Sequence, residues 1–231
     1  MKPTSVETPS GKPPRRKLRE HSELTQRIVS ALVLVGIALP LIWLGGIATW
    51  IMAAALFALC LYEWRLMTAG AGASIAALGL AYCGLTFTLP IIRDALLPDG
   101  LFLLILLFLA VIASDVFAYF SGRAIGGPKL MPSVSPNKTI SGALGGLVGA
   151  VVVASVYAAI VPQVTVMTAA VGAAVLAVFS QAGDLFESGM KRRFNVKDSS
   201  QLIPGHGGFL DRVDGLLGAS IPMLVYVVLT T

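Results

Sequence analysis

Charge is scarce in this sequence: Asp, Glu, Lys and Arg together make up 13% of its 231 residues. Soluble domains carry about 25% charged residues, so the composition excludes an ordinary soluble domain. Hydrophobic residues reach 56%, and the mean hydropathy is +0.83. We therefore expect an integral membrane protein.

Cysteine and histidine are also rare, with two of each. Cys60 and Cys83 lie in or near apolar segments without CxxC or Cys/His spacing. This predicts small core residues, which carry no information on a disulfide or metal site. The sequence has no Walker A, HExxH or GxSxG motif, which argues against ATP-driven transport and the familiar hydrolase mechanisms. We attribute the net charge of +5 mostly to membrane topology and the basic N-terminal tail. Positive charge also attracts anionic lipid head groups, and no nucleic-acid partner is expected.

Long apolar runs, by contrast, are abundant. A spanning helix needs about 20 mostly apolar residues, and the candidate segments are 26–44, 46–63, 72–91, 101–120, 141–161, 164–187 and 215–230. They predict an all-α polytopic membrane protein with about seven transmembrane helices.

Residues 1–23 are rich in Pro and Lys/Arg and predict a disordered basic cytoplasmic tail. The membrane domain, residues 24–231, divides into scaffold helices (24–100) and a more polar, catalytic half (101–231).

The basic residues predict the orientation of these helices. On an alternating seven-span path, sixteen of the 17 Lys and Arg residues fall on one face, and only Arg93 falls on the other. Cytoplasmic loops are enriched in Lys and Arg. We therefore expect a cytoplasmic N-terminus and a C-terminus on the opposite side.

The most polar block between two apolar spans is Ser188–Asp214, SGMKRRFNVKDSSQLIPGHGGFLDRVD. Charge is costly near hydrocarbon, so such a block indicates a functional site. His206 lies in a Gly-rich turn whose backbone N–H groups can approach an anion, although a loop histidine is often a bystander. Asp211 and Asp214 are spaced i, i+3 and can face one site, with helix capping as the alternative role.

The sixth span ends in a second polar pattern. Ser180, Asp184, Ser188 and Lys191 form one stripe on a helix, whereas Glu187 is offset and is expected to face elsewhere. Asp184 suits a hard cation and Lys191 could balance phosphate charge. The alternative is a helix end with ordinary interfacial charges.

Two further candidates precede this stripe. Ser135, Lys138 and Thr139 lie in the segment SPNKT, where the hydroxyls are natural helix caps and the lysine suits either phosphate or topology. Asp115 lies within the fourth span, where a carboxylate is rarely neutral to function. Its structural alternative is pairing with Arg123. Together, carboxylates for Mg²⁺ and basic groups for phosphates are what phosphoryl or nucleotidyl transfer requires.

The same residues resemble a known signature. The matching positions are Ser188, Met190-Lys191-Arg192, Lys197-Asp198, Ser200, Ile203-Pro204, His206-Gly207-Gly208-Phe209 and Asp211-Arg212-Val213-Asp214. This pattern resembles the phosphatidate cytidylyltransferase, or CDP-diglyceride synthase, family. Similar motifs at 114–115, 135–139 and 181–185 extend the resemblance over roughly residues 110–231. Asn137 stands where many relatives have Lys, and the first half is shorter than in many of them.

The resemblance implies that CTP and phosphatidic acid give CDP-diacylglycerol and pyrophosphate, with Mg²⁺ required. It implies that Asp184 and Asp211 bind the metal, and we assign catalytic roles to Asp184, Lys191 and Asp211. The expected substrate-binding residues are Asp115, Ser135, Lys138, Thr139, Ser188, Arg192, Lys197, His206, Arg212 and Asp214. A second cation and a homodimer are left open.

The expected location is a bacterial-type inner membrane, with the active site facing the cytoplasm. One alternative is a CTP-dependent lipid or polyprenol kinase, which the strong match of the Ser188–Asp214 block disfavours. A cation-coupled transporter is the other. It would be expected to keep its carboxylates near the midplane between broken helices, whereas the polar groups here gather toward one face.

Overall fold

The computed structural model describes residue 33 and residues 36–95, 99–202 and 207–230. Six helices within these residues are long and apolar enough to cross a membrane. The predicted all-α polytopic membrane fold is thereby confirmed. The first predicted span, 26–44, lies partly outside the described residues, of which 36–44 are helical. The predicted tail, residues 1–23, lies entirely outside them.

The helices follow one another along the chain with short connections. Their bounds are α1 (Ile47–Met67), α2 (Ala73–Gly84), α3 (Thr88–Ala95), α4 (Gly100–Ile125), α5 (Ile140–Ile160), α6 (Val166–Arg193) and α7 (Leu210–Thr230). A 3₁₀ turn, Leu85–Phe87, joins α2 to α3, and together they make one candidate span, Ala73–Asp94.

A small hairpin stands between α4 and α5, where the sequence had indicated only a loop. Its strands, β1 (Lys129–Met131) and β2 (Ser135–Thr139), are antiparallel. The Thr139 hydroxyl accepts a bond from Gly142 N at 3.0 Å and caps α5, as the sequence predicted. The cap fixes Lys138 immediately before the start of α5.

Glycines allow two helix pairs to pack backbone against backbone. A Cβ on Gly146 of α5 would lie 2.6 Å from the carbonyl oxygen of Ser114 in α4. A Cβ on Gly183 of α6 would lie 2.5 Å from the carbonyl oxygen of Asp214 in α7. Small residues permit such close approach of membrane helices. The end of α6 therefore lies directly against the start of α7.

The apolar core has two parts. The larger one includes Leu104, Leu107 and Ala173. The other, with Cys60 and Cys83, lies near the polar end of α6. Both cysteines are fully buried, as predicted for small core residues, and both are free.

Candidate active site

Asp184 joins three elements at one end of the bundle. It lies in α6, forms an ion pair with Lys138 of β2, and accepts a bond from the Ser188 hydroxyl at 3.4 Å. Asp115 of α4 is exposed, and its charge interacts with those of Asp184 and Lys138. Arg123 instead donates to the Tyr119 hydroxyl at 2.9 Å. The structure thus brings together the predicted residues of α4, the hairpin and α6.

Lys191 lies in a buried pocket of negative charge between α6 and α7. Its ammonium donates to Glu187 Oε2 at 2.8 Å and to Asp211 Oδ1 at 2.6 Å. The expectation that Glu187 faces elsewhere is wrong: its side chain is 0% exposed. Residues spaced i, i+4 share a helix face, so Glu187 points with Lys191 toward α7. Glu187 Oε1 has no hydrogen-bond partner among the described residues.

Asp211 fixes the turn that begins α7. It accepts bonds from Gly208 N at 2.9 Å and Ser199 N at 3.2 Å, as well as the bond from Lys191. Gly207 has φ +83°, a conformation that glycine adopts without steric cost. The capping role considered for Asp211 is therefore present, but its ion pair with Lys191 gives the carboxylate a second role.

Asp214 lies one turn further along α7 and interacts electrostatically with both Asp184 and Lys191. Its Oδ1 accepts a bond from Gly215 N at 2.7 Å. Its charge interacts with those of Asp184, Glu187 and Lys191. Asp211 and Asp214 thus face one polar cluster, as their spacing predicted. This polar cluster consists of Asp115, Lys138, Asp184, Glu187, Lys191, Asp211 and Asp214.

The remaining predicted residues are more peripheral. Arg192 is exposed and donates to the carbonyl oxygens of Val134 and Val196, both at 3.4 Å, which ties the end of α6 to the hairpin. Lys197 and Arg212 are exposed, and Ser135 lies in β2. His206 lies outside the described residues. The substrate roles of these residues stay predictions.

One buried carboxylate, Glu63, was not among the residues predicted for the site. Glu63 lies inside α1 with 0% exposure and contacts Ser199, Ser200, Phe209 and Leu210. The rule that indicated Asp115, a carboxylate within an apolar segment, would also have indicated Glu63.

A cavity of about 440 Å³ lies elsewhere, between α4, α6 and α7. Asp99 at the start of α4, Thr165 before α6 and Tyr226 near the end of α7 line it. These residues belong to the opposite ends of the helices that carry the polar cluster. Its lining is mainly apolar and includes no residue of the polar cluster.

The carboxylates of the cluster suit a hard cation. Within the described part of the chain, no group of three or more Asp, Glu, His or Cys residues could hold a metal by itself. Mg²⁺, however, is usually bound through one or two carboxylates, with water and substrate phosphates completing its shell. Asp184, Asp211 and the unpaired Oε1 of Glu187 are oxygen donors of the required type. The residues present therefore fit this ion.

Known proteins resemble this chain along most of its length. A phosphatidate cytidylyltransferase of Brucella abortus is 36% identical over 253 residues, covering 89% of this chain and 93% of that protein. One of Haemophilus influenzae is 48% identical over 132 residues, covering 55% of this chain and 46% of the other. The family model described as "Cytidylyltransferase family" matches residues 68–230, which include every residue of the polar cluster and do not include Glu63. The chain therefore belongs to the cytidylyltransferase family.

Proposed function

We propose that this protein is a phosphatidate cytidylyltransferase that converts CTP and phosphatidic acid into CDP-diacylglycerol and pyrophosphate. The observation that carries the proposal is a cluster of five carboxylates and two lysines at one end of an apolar helix bundle. Relatives that align along nearly their whole length bear this name. A site at the end of the helices suits a substrate whose acyl chains remain in the bilayer while its phosphate reaches water.

The reaction joins two phosphate groups. A phosphate oxygen of phosphatidic acid attacks the α-phosphorus of CTP, and the bond from that phosphorus to the oxygen bridging to the β-phosphate breaks. Pyrophosphate leaves with the electron pair. A phosphate monoester has a second pKa near 6, so its dianion is available at neutral pH without a strong general base.

The main difficulty is to bring two polyanions together, and the basic residues address it. Lys138 and Arg192 stand at the rim of the cluster, where they can contact phosphate oxygens, and Lys197 follows on the exposed segment after α6. Preorganised positive charge stabilises the negative charge that develops on a leaving group. Asp184 and Asp211 are the residues that would hold Mg²⁺, which when bound supplies further charge neutralisation to the phosphates.

The identity of the products tests this proposal directly. Purified protein supplied with labelled CTP, phosphatidic acid and Mg²⁺ should give a CDP-linked lipid and one pyrophosphate per turnover, and no product without Mg²⁺. Chromatography of the lipid and nucleotide fractions measures both products. Release of CDP, with the γ-phosphate on the lipid, would contradict the proposal and favour a CTP-dependent kinase.

We further propose a bacterial inner-membrane location with the polar cluster facing the cytoplasm. The basic residues of the cluster lie at one end of the bundle, whereas Arg93 donates to the carbonyl oxygen of Ile42 at the other. This distribution matches the positive-inside bias.

Reporter fusions test that orientation. A reporter after Thr231 should behave as extracytoplasmic, and the same reporter before Met1 should behave as cytoplasmic. The second fusion is the control for expression and insertion. A cytoplasmic signal from the fusion at Thr231 would overturn the orientation and require an even number of spans.

A further inference from the structure

Glu63 is a buried carboxylate whose two oxygens each accept two hydrogen bonds. Oε1 accepts from the Ser200 hydroxyl at 2.5 Å and from Phe209 N at 2.8 Å. Oε2 accepts from the Ser199 hydroxyl at 2.9 Å and from Leu210 N at 2.6 Å. A buried charge is costly unless such donors surround it, and the start of a helix supplies both free N–H groups and a favourable dipole.

Glu63 and Asp211 divide the turn that begins α7 between them. Gly208 N donates to Asp211, whereas Phe209 N and Leu210 N donate to Glu63. Ser199 connects the two carboxylates, since its hydroxyl donates to Glu63 and its N–H donates to Asp211. The position of Asp211 is therefore coupled to that of Glu63 through shared backbone.

The residues around this turn are packed so closely that position 208 has no space for a side chain. A Cβ on Gly208 would lie 1.8 Å from the Ser199 hydroxyl and 2.8 Å from Glu63 Oε2. Residues 199–200 and 207–210 are thus pressed together over the Glu63 carboxylate. On the other side of the turn, Asp211 holds Lys191 at 2.6 Å.

We propose that Glu63 is a positioning residue: it holds the Ser199–Ser200 segment and the first turn of α7 so that Asp211 is aimed at Lys191. Glu63 contacts neither substrate nor reacting atoms in this role. The inference rests on the proposed function for its effect on turnover, whereas its effect on the turn itself does not depend on which reaction is catalysed. A carboxylate of the scaffold helices thereby controls the geometry of the catalytic half.

The first variant is Glu63→Gln, in the full-length protein purified in lipid nanodiscs. Gln keeps the size but turns an N–H₂ group toward donors, so at least one bond to the turn is lost. We expect kcat to fall about 10- to 100-fold, since small misplacements of reacting groups have effects of this size, while KM for phosphatidic acid changes less than about threefold. A loss confined to KM would overturn the proposal.

The matched control is Asp94→Asn. Asp94 of α3 accepts from Gly46 N at 3.2 Å and from the Trp50 indole N–H at 2.9 Å. These two donors lie at the other end of α1, about 20–25 Å from Glu63 along the helix. This substitution also weakens bonds between scaffold helices. It should lower the unfolding temperature and leave kcat within about twofold of the wild type. An equal loss of kcat in both variants would show that Glu63 acts only through general stability.

Hydrogen exchange gives a readout independent of turnover. In Glu63→Gln, the amides of Phe209 and Leu210 should exchange faster, and so should those of Ser199 and Gly208, which are bonded to Asp211. If only Phe209 and Leu210 respond, Asp211 is not positioned by Glu63 and the proposal fails. The exchange result stands even if the wild-type protein proves to lack cytidylyltransferase activity, so the two failures are distinguishable.

Ser199→Ala is the milder second variant, useful if Glu63→Gln does not accumulate. It removes the hydroxyl that donates to Glu63 and leaves the Ser199 N–H that donates to Asp211. It should lower kcat about 3- to 10-fold with faster exchange at Gly208. In the double variant Glu63→Gln/Ser199→Ala, kcat should equal that of Glu63→Gln within about twofold, because both changes break one connection. Losses that multiply would contradict the coupling.

Discussion

Replacing Asp184 or Asp211 by Asn should reduce cytidylyl transfer about 10³-fold or more. Asn keeps the size and much of the hydrogen bonding, but it removes the charge that a hard cation requires. Each substitution also releases a lysine, Lys138 from Asp184 or Lys191 from Asp211. Turnover measured across a range of Mg²⁺ concentrations tests the expectation, and membrane insertion should be unaffected.

Asp198→Asn is the matched control for these two substitutions. Asp198 lies in the same polar block but is exposed, so the loss of its charge should change turnover only slightly. Glu187 is unsuitable as a mild control, because it is buried and paired with Lys191. Near-normal turnover of Asp184→Asn or Asp211→Asn at low Mg²⁺ would refute the metal assignment and leave the pair with a structural role.

The second large effect is expected from Lys191→Met. The substitution leaves Glu187 and Asp211 buried near one another without the ammonium that separates them. Removing one partner of a buried ion pair costs about 3–5 kcal/mol, so the unfolding temperature in detergent should fall markedly and turnover should be lost. Thermal unfolding and the product assay measure the two consequences.

Two further variants serve as controls for Lys191→Met. Arg193→Met removes an exposed basic residue from the same helix and should leave the unfolding temperature nearly unchanged. The double variant Lys191→Met/Glu187→Gln removes one of the two carboxylate charges that lose their partner, so it should recover part of the stability but none of the activity. A wild-type unfolding temperature for Lys191→Met would contradict the proposed pairing.

Hydropathy predicted the helices well because each span must satisfy its own backbone groups in hydrocarbon. It was less accurate where function places charge inside a helix. The last span was predicted from residue 215, whereas α7 begins at Leu210, because Asp211, Arg212 and Asp214 lower the local hydropathy. The third span contains a 3₁₀ turn at Leu85–Phe87 that no periodicity had indicated.

The site was predictable only where its residues are close in sequence or share one helix. Asp184 and Ser188 were expected on one stripe and do contact each other. Glu187 was misassigned because its offset from the Asp184–Ser188 stripe was expected to turn it away from the site. Its carboxylate instead contacts Lys191 of the same helix. Glu63 could not be connected to Ser199, 136 residues later, since sequence spacing does not report which helices become neighbours.

The reach of Glu63 across the chain also has a consequence for biosynthesis. Its partners Phe209 and Leu210 follow it by 146 and 147 residues, so at ordinary rates of translation they emerge on the order of ten seconds later. Until then Glu63 lacks the two backbone N–H donors that α7 supplies. The first turn of α7 therefore has two separate contributions: it brings Asp211 to Lys191, and it provides N–H groups to a carboxylate of a helix made much earlier.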